Sequence, residues 1–430
     1  MPLQQKNSQY VASYYAASIN NNATYPQLKN EIETEVCIIG AGFTGLSTAL
    51  HLAEKGVKVC VLEAEKVAWG ASGRNGGHVG TGQRVSQQVL EKQFGFVMAK
   101  KLWGFSLEAV ELVEDLIKKY QIQCDLKHGI LHVAAKHNDI EEMKIRCDNL
   151  NRNYAYDKFS FIEKDEVDAM LGTDKFYGGQ LDEGALHLHP LNYALGLAVA
   201  ATRAGMQCFE QSKVTYYEEA EHITIHTEYG IVRAKQMVLA CNGYLEKLEQ
   251  KIARKIMPIN NFVLATEPLD EELARSLIRD DVAVQDSLFV INYWKLSADN
   301  RLIFGGGENY SKRFPKDIKA FVKKYMLRIY PQLESTQIDY AWGGTLAITM
   351  NRLPDYGKLS ENIYYAQGYS GHGVPTATFA GKLISEAITD NPERFMQLAN
   401  LATPTFPGGT LLRWPSLVVG MLYHSLLDKL

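Results

Sequence analysis

The sequence lacks the marks of a secreted, membrane-spanning or nucleic-acid-binding chain. Its six cysteines (Cys37, Cys60, Cys124, Cys147, Cys208 and Cys241) are scattered over 430 residues, with no C-x-x-C pair. That spacing offers no disulfide framework and fits a reducing, cytoplasmic setting. His187 and His189 have no acidic or cysteine companions at ligand spacing, so no metal is expected. A net charge of −4 provides no general basic field for nucleic acid. No apolar run is long enough for a membrane span, and the polar N-terminus MPLQQKNSQYVASYYAASINNNATYPQ lacks the apolar stretch of a signal peptide. Its tyrosines suit an ordered arm packed on the body. Internal repeats and low-complexity stretches are absent as well. What is present, 46% hydrophobic and 22% charged residues, is ordinary globular composition, enough for about two to three domain-sized units.

The most informative stretch begins at Val36-Cys37-Ile38-Ile39, a short continuous apolar run of the kind found in a strand covered on both faces. It leads into Gly40-Ala41-Gly42-Phe43-Thr44-Gly45, then a helical pattern (Leu46, Ala49, Leu50, Ala53) closed by Gly56. A second strand, Val57–Leu62, ends at Glu63. Strand, G-x-G-x-x-G, helix, strand and terminal acid in this order form a dinucleotide-binding fingerprint. Gly40 permits the tight turn, Gly42 lets a pyrophosphate approach the backbone, and Gly45 lets helix and strand pack closely. The helix N-terminus supplies amides and a positive dipole end to the phosphates. Glu63, with no basic residue beside it, suits a ribose hydroxyl and argues for FAD or NAD over NADP.

Continuing from Glu63-Ala64-Glu65, the glycine-dense run Trp69-Gly70-Ala71-Ser72-Gly73-Arg74-Asn75-Gly76-Gly77-His78 resembles the second flavin signature of the glycine oxidase/sarcosine oxidase superfamily of FAD-dependent enzymes. Other segments resemble that family too. They are Ala185–Pro190 with the amphipathic Leu191–Gly205, the strand-like Cys208–Val214, Gln236–Gly243, and Asn362–Ala366 running through Gly368–Gly373 into a helix Val374–Ile388. Within the superfamily, Leu296–Asp299, Arg301–Gly307 and Leu412–Pro415 followed by an apolar helix resemble the gamma-glutamylputrescine oxidase-like branch. The resemblance implies an α/β fold: a Rossmann-like FAD-binding domain interleaved with an α+β substrate domain on a mixed or antiparallel sheet. Residues 30–95, 175–245 and 340–430 are assigned to the first, 96–174 and 246–339 to the second. It further implies that Gly40, Gly42, Phe43, Thr44, Gly45, Glu63, Ala64, Arg74, Asn75, Gly76, Gly77, His78, Val214, Gly243, Gly371, His372, Gly373 and Val374 surround the flavin. The Gly371–Val374 helix start would face its N1/O2 edge. His78 could serve as an attachment point, but the attaching motifs of relatives differ from this one, so a non-covalent cofactor is expected.

The implied reaction is oxidation of a carbon–nitrogen bond, with hydride leaving for the flavin and the imine hydrolysed to aldehyde and ammonia. The partners are a small-molecule amine from polyamine catabolism and oxygen (giving H2O2) or another electron acceptor. The alternatives are an N-methyl or secondary amino-acid oxidase or dehydrogenase, or a redox-inert flavoprotein subunit. For the first of these only Arg301 offers a carboxylate clamp between residues 288 and 310. The pocket is expected to draw on Asn261, Tyr293, Trp294, Lys295, Phe304 and Glu308, with Tyr293, Lys295 and His372 as catalytic candidates. Lys295 is either a fixed positive charge for oxygen or a solvated strand-end lysine. Arg352 lies in a loop that approaches the flavin in relatives. Strands are expected at Ile130–Ala134, Asn260–Ala265, Leu288–Trp294 and Arg301–Phe304, and helices at 96–120 and, amphipathic and packed on the body, at Leu417–Leu430.

Overall fold

A computed structural model describes residues 9–308 and 313–415 of the chain. The expected C-terminal amphipathic segment Leu417–Leu430 lies outside the described residues, as does the start of the N-terminal arm. Among the described residues the strands form two sheets, of eight and nine strands.

In the eight-stranded sheet, Glu31–Ile39 pairs in parallel with Val59–Leu62 on one side and Ile231–Leu239 on the other. Ile363–Gln367 and Gln207–Phe209 extend the parallel order, and Asp355–Ser360 and the Val214–Glu219/Ile223–Thr227 hairpin add antiparallel strands. Side chains alternate across a strand, and here they alternate between two cores. Val36, Ile38, Val59 and Val61 pack with the helices, whereas Cys37, Ile39, Cys60 and Leu62 pack with the hairpin. That is why the runs carry no polar alternation. Helices Phe43–Glu54 and Gly373–Thr389 both begin just past the C-terminal ends of parallel strands. They cross so closely that a Cβ on Gly381 would lie 2.6 Å from Thr48 N and 2.7 Å from Thr44 O. Ser47 Oγ donates to Thr378 O at 2.6 Å across the same crossing.

The nine-stranded sheet is mainly antiparallel, with one parallel pair, Ala283–Asp286 beside Lys127–Val133. Its longest pairing joins Met257–Thr266 to Ile338–Ile348. Trp294, Phe304, Tyr330 and Met326 fill the core between this sheet and helix Ile318–Ile329.

Several details differ from the expectations. Strands Gly179–His187 and Ile338–Ile348 belong to the nine-stranded sheet rather than with the cofactor segments at 175–245 and 340–430. Helix Phe96–Tyr120, assigned to the substrate part, buries Leu102, Val113 and Leu116 in the same core as helix Phe43–Glu54. The strand expected over Cys208–Val214 breaks after Phe209, because Ser212 N donates to Glu63 O and Glu210 N to Pro26 O. The strand expected over Leu288–Trp294 starts only at Tyr293. The Asp286 carboxylate takes up the amides of Leu288 and Asn292 and the Asn292 side chain, folding a local turn. The tyrosine-rich arm is ordered from residue 9: Tyr15 is fully buried against Trp342, and Tyr10 Oη donates to Val67 O.

Candidate active site

A cavity of about 1280 Å³ takes its wall from both sheets. At one end lies the glycine turn. Gly40 has φ +106°, and a Cβ there would lie 2.8 Å from Ala240 O; one on Gly45 would lie 1.9 Å from Gly40 O. Helix Phe43–Glu54 has Gly42 as its N-cap, and Gly42, Phe43 and Thr44 at its start line the cavity. A Cβ on Gly42 would reach Ser72 Oγ at 2.8 Å, and that hydroxyl accepts from Phe43 N. Glu63 accepts from Ala41 N and Glu65 N, and burial raises its pKa. Ala64, Thr44 and Val214 complete this wall, together with Trp69, Asn242 and Tyr244, which sequence reasoning did not single out. Gly243 lies between the last two, with its Cβ direction filled by the Leu346 backbone at 3.2 Å.

The glycine-dense run is bare because other backbone passes against it. A Cβ on Gly77 (φ +76°) would meet Leu188 O at 2.0 Å, and one on Gly76 would meet the Tyr293 ring at 2.6 Å. Asn75 staples the turn, donating to Ala71 O and Ser72 O and accepting from Gly77 N. Arg74 is buried on the cavity wall, its guanidinium 3.9 Å from the Trp69 ring. Nε donates to Trp69 O and Nη1 to Gly343 O, but Nη2 has no hydrogen-bond partner among the described residues. A buried cation with an unused donor fits an anionic group. The His189-Pro190 pair starts helix Pro190–Arg203: His189 Nδ1 accepts from Asn192 N.

Farther along the cavity, Tyr293, His78 and His372 line the wall. Tyr293 Oη donates to Asn261 Oδ1 at 2.5 Å, and its ring stands edge-on to His78. His78 contacts two carbonyls, Gly76 O and Val284 O, and burial lowers its pKa to about 4. His372 precedes helix Gly373–Thr389 and is likewise held down to about 4, by burial first and then by Arg84. Both imidazoles are therefore neutral near pH 7. Gly371, Gly373 and Val374 line the cavity beside His372.

Three pocket candidates are corrected. Trp294 and Phe304 are fully buried and stack on each other on the far face of the sheet, where Trp294 Nε1 donates to Tyr330 Oη. Strand alternation excludes them: Tyr293 faces the cavity, so Trp294 cannot. Lys295 is no solvated strand-end lysine. It is 1% exposed, Nζ donates to Leu188 O at 2.6 Å, and burial pulls its pKa to about 8. Glu308 ends its strand, with its side chain outside the described residues. Arg301 is engaged with Asp299 and Asp339, away from the cavity wall, whereas Arg352 lies on it.

Comparison with known proteins agrees with this geometry. The family profile "DAO: FAD dependent oxidoreductase" matches residues 35–387. The chain is 40% identical over 424 residues to gamma-glutamylputrescine oxidoreductase of Escherichia coli (strain K12), covering 98% of this chain and 99% of that one. It is 39% identical over 426 residues to the probable oxidoreductase OrdL of Haemophilus influenzae, covering 98% of both. Among solved structures, glycine oxidase from Geobacillus kaustophilus shares the fold with a TM-score of 0.70 at 18% identity, over 82% of this chain and 94% of that one.

Proposed function

The chain belongs to the DAO family of FAD-dependent oxidoreductases, and from that membership we propose that it oxidises a primary amine on a polyamine-derived chain, with gamma-glutamylputrescine as the type substrate. The observation carrying this reading is the 40% identity to gamma-glutamylputrescine oxidoreductase along essentially the whole length of both chains.

The residues present fit FAD. The Gly40–Gly42 turn, the N-terminal end of helix Phe43–Glu54, Arg74 with its unused Nη2 and Glu63 would hold the pyrophosphate and ribose, with Val214 beside the adenine. Gly76, His78, Tyr293 and the Gly371–Val374 helix start would surround the ring. Bound FAD supplies the two-electron acceptor for hydride leaving the carbon that bears nitrogen.

The chain's own contribution is the environment of the amine. Ile259, Phe289, Ile291 and Tyr293 give the wall an apolar and aromatic character, and its histidines His78 and His372 are neutral. Such a wall disfavours an ammonium and lowers the pKa of the bound amine, freeing the lone pair that hydride departure requires. No protein base is needed for that step. Lys295, cationic behind Gly77, would favour the transfer of electrons onward to oxygen or another acceptor. The reading includes a non-covalent flavin and a cytoplasmic setting. The latter is supported by the six free cysteines and by the absence, among the described residues, of a helix long and apolar enough to cross a membrane.

Anaerobic mixing with gamma-glutamylputrescine is expected to bleach the flavin absorbance, and acid precipitation to leave the yellow colour in the supernatant. A flavin unchanged by every polyamine, glutamyl conjugate and N-methyl amino acid tested would refute the enzyme reading.

A further inference from the structure

The reacting amine accounts for the wall around Tyr293 but not for the cavity's extension past His132 and His372. There helix Asp139–Tyr154 presents Asp139, Glu142, Met143 and Arg146 to the cavity, a spacing that places them on one helical face. Arg84 lines the same end. His132 and His372 both feel the positive charge of Arg84 and Arg146, so the group lies next to the proposed ring site. The Arg146 guanidinium lies 5.0 Å from the Phe159 ring centroid, and among the described residues it forms no hydrogen bond or ion pair. Burial lowers its pKa. Asp182 and Glu142 act on it through space but neither is in contact, so the guanidinium donors stay open to an incoming anion from the cavity. Asp139 and Glu142 add negative charge to the same helical face, two turns and one turn before Arg146. Asp139 is held by Ser287 Oγ and Lys136 N, and Glu142 is exposed.

We infer that this end of the cavity binds a zwitterionic α-amino-acid head group, with its carboxylate on Arg146 and its ammonium facing Glu142 and Asp139. The inference rests on the proposed function, because a gamma-glutamyl amine carries that head group at the end remote from the reacting amine. A free diamine would instead bring a second cation toward Arg146, so the subsite selects the conjugate over the bare polyamine.

The test uses the FAD-loaded full chain and two ligands without an oxidisable terminal amine: N-butyl-gamma-glutamylamide and N-butylbutyramide, which lacks the head group. By calorimetry the first should bind about 10–100-fold more tightly, the range for a charge-assisted pair. Arg146→Met should remove most of that difference, and Glu142→Gln a smaller part, in proteins whose flavin spectrum and melting temperature match the parent. In turnover, Arg146→Met should raise KM for gamma-glutamylputrescine far more than for butylamine. Equal binding of the two ligands by the parent chain, or equal weakening of both by Arg146→Met, would overturn the subsite. If head-group binding and its loss in Arg146→Met are seen while no amine bleaches the flavin, the subsite stands and the amine-oxidase reading fails.

Discussion

Lys295 shows how burial changes what a residue can do. Its Nζ is held by Leu188 O, lies 3.2 Å from where a Gly77 Cβ would be, and has its pKa drawn down to about 8. A lysine is charged below its pKa and neutral above it. If that charge promotes electron transfer to the acceptor, reoxidation of the reduced enzyme should slow as pH rises through about 8. Lys295→Met should slow it about 10–100-fold at pH 7 and abolish the step near pH 8, read by stopped-flow reoxidation. A step near pH 8 that persists in Lys295→Met would assign it to another group. At this scale the sequence was legible where a residue sits in a motif: Gly40, Gly42, Glu63 and Arg74 all lie on the cavity wall. Trp294 does not fit because three consecutive strand residues, Tyr293–Lys295, cannot all share a face, and Phe304 pairs with Trp294 on the neighbouring strand, facing the same way. Arg146 went unnoticed because its helix carries no motif; only the fold turns that face toward the cavity.

At the scale of elements, two glycines in helices make opposite predictions. Gly381 sits where helices Gly373–Thr389 and Phe43–Glu54 cross, and an added Cβ would meet Ser47 Cβ at 2.5 Å besides the backbone of Thr44 and Thr48. Backbone cannot yield as a side-chain tip can, so Gly381→Ala should push the two helix starts apart, costing about 2–4 kcal/mol in chemical denaturation and weakening FAD retention. Gly104, exposed in helix Phe96–Tyr120, has nothing within 4 Å of its Cβ direction. Gly104→Ala should therefore stabilise by about 0.5–1 kcal/mol. Equal effects of the two changes would refute the close crossing. The helix over 96–120 and the strands around Val36 and Ile363 were legible because long periodic or continuous apolar runs leave few alternatives. The strand breaks at 210–213 and 287–292 were not, because they depend on hydrogen bonds accepted by Glu63 O and the Asp286 carboxylate that spacing does not reveal.

At the scale of the molecule, the cavity joins two sheets whose strands are interleaved along the chain. His78–Val79 follows the glycine-dense run directly yet pairs with Gly179–His187 in the nine-stranded sheet, so a division by sequence position misplaces that sheet's pieces. The cavity draws on both sheets, with Gly40 and Glu63 following strands of one and Asn261 and Tyr293 lying on strands of the other. Opening either wall would lose contacts to FAD, so binding and global stability should be linked. For a ligand that binds only the folded chain, the gain is RT ln(1 + [L]/Kd), about 2.7 kcal/mol at a hundredfold excess over Kd. The flavin-free chain should therefore melt at a temperature that rises steadily with FAD concentration, followed by tryptophan fluorescence, because Trp342 in the nine-stranded sheet donates to Arg74 O in the glycine-dense run. AMP, which would reach only the Glu63 and Val214 end, should bind more weakly and so give a smaller rise at equal concentration. An equal rise with AMP would place the coupling in the eight-stranded sheet alone, and the two-walled site would then be wrong.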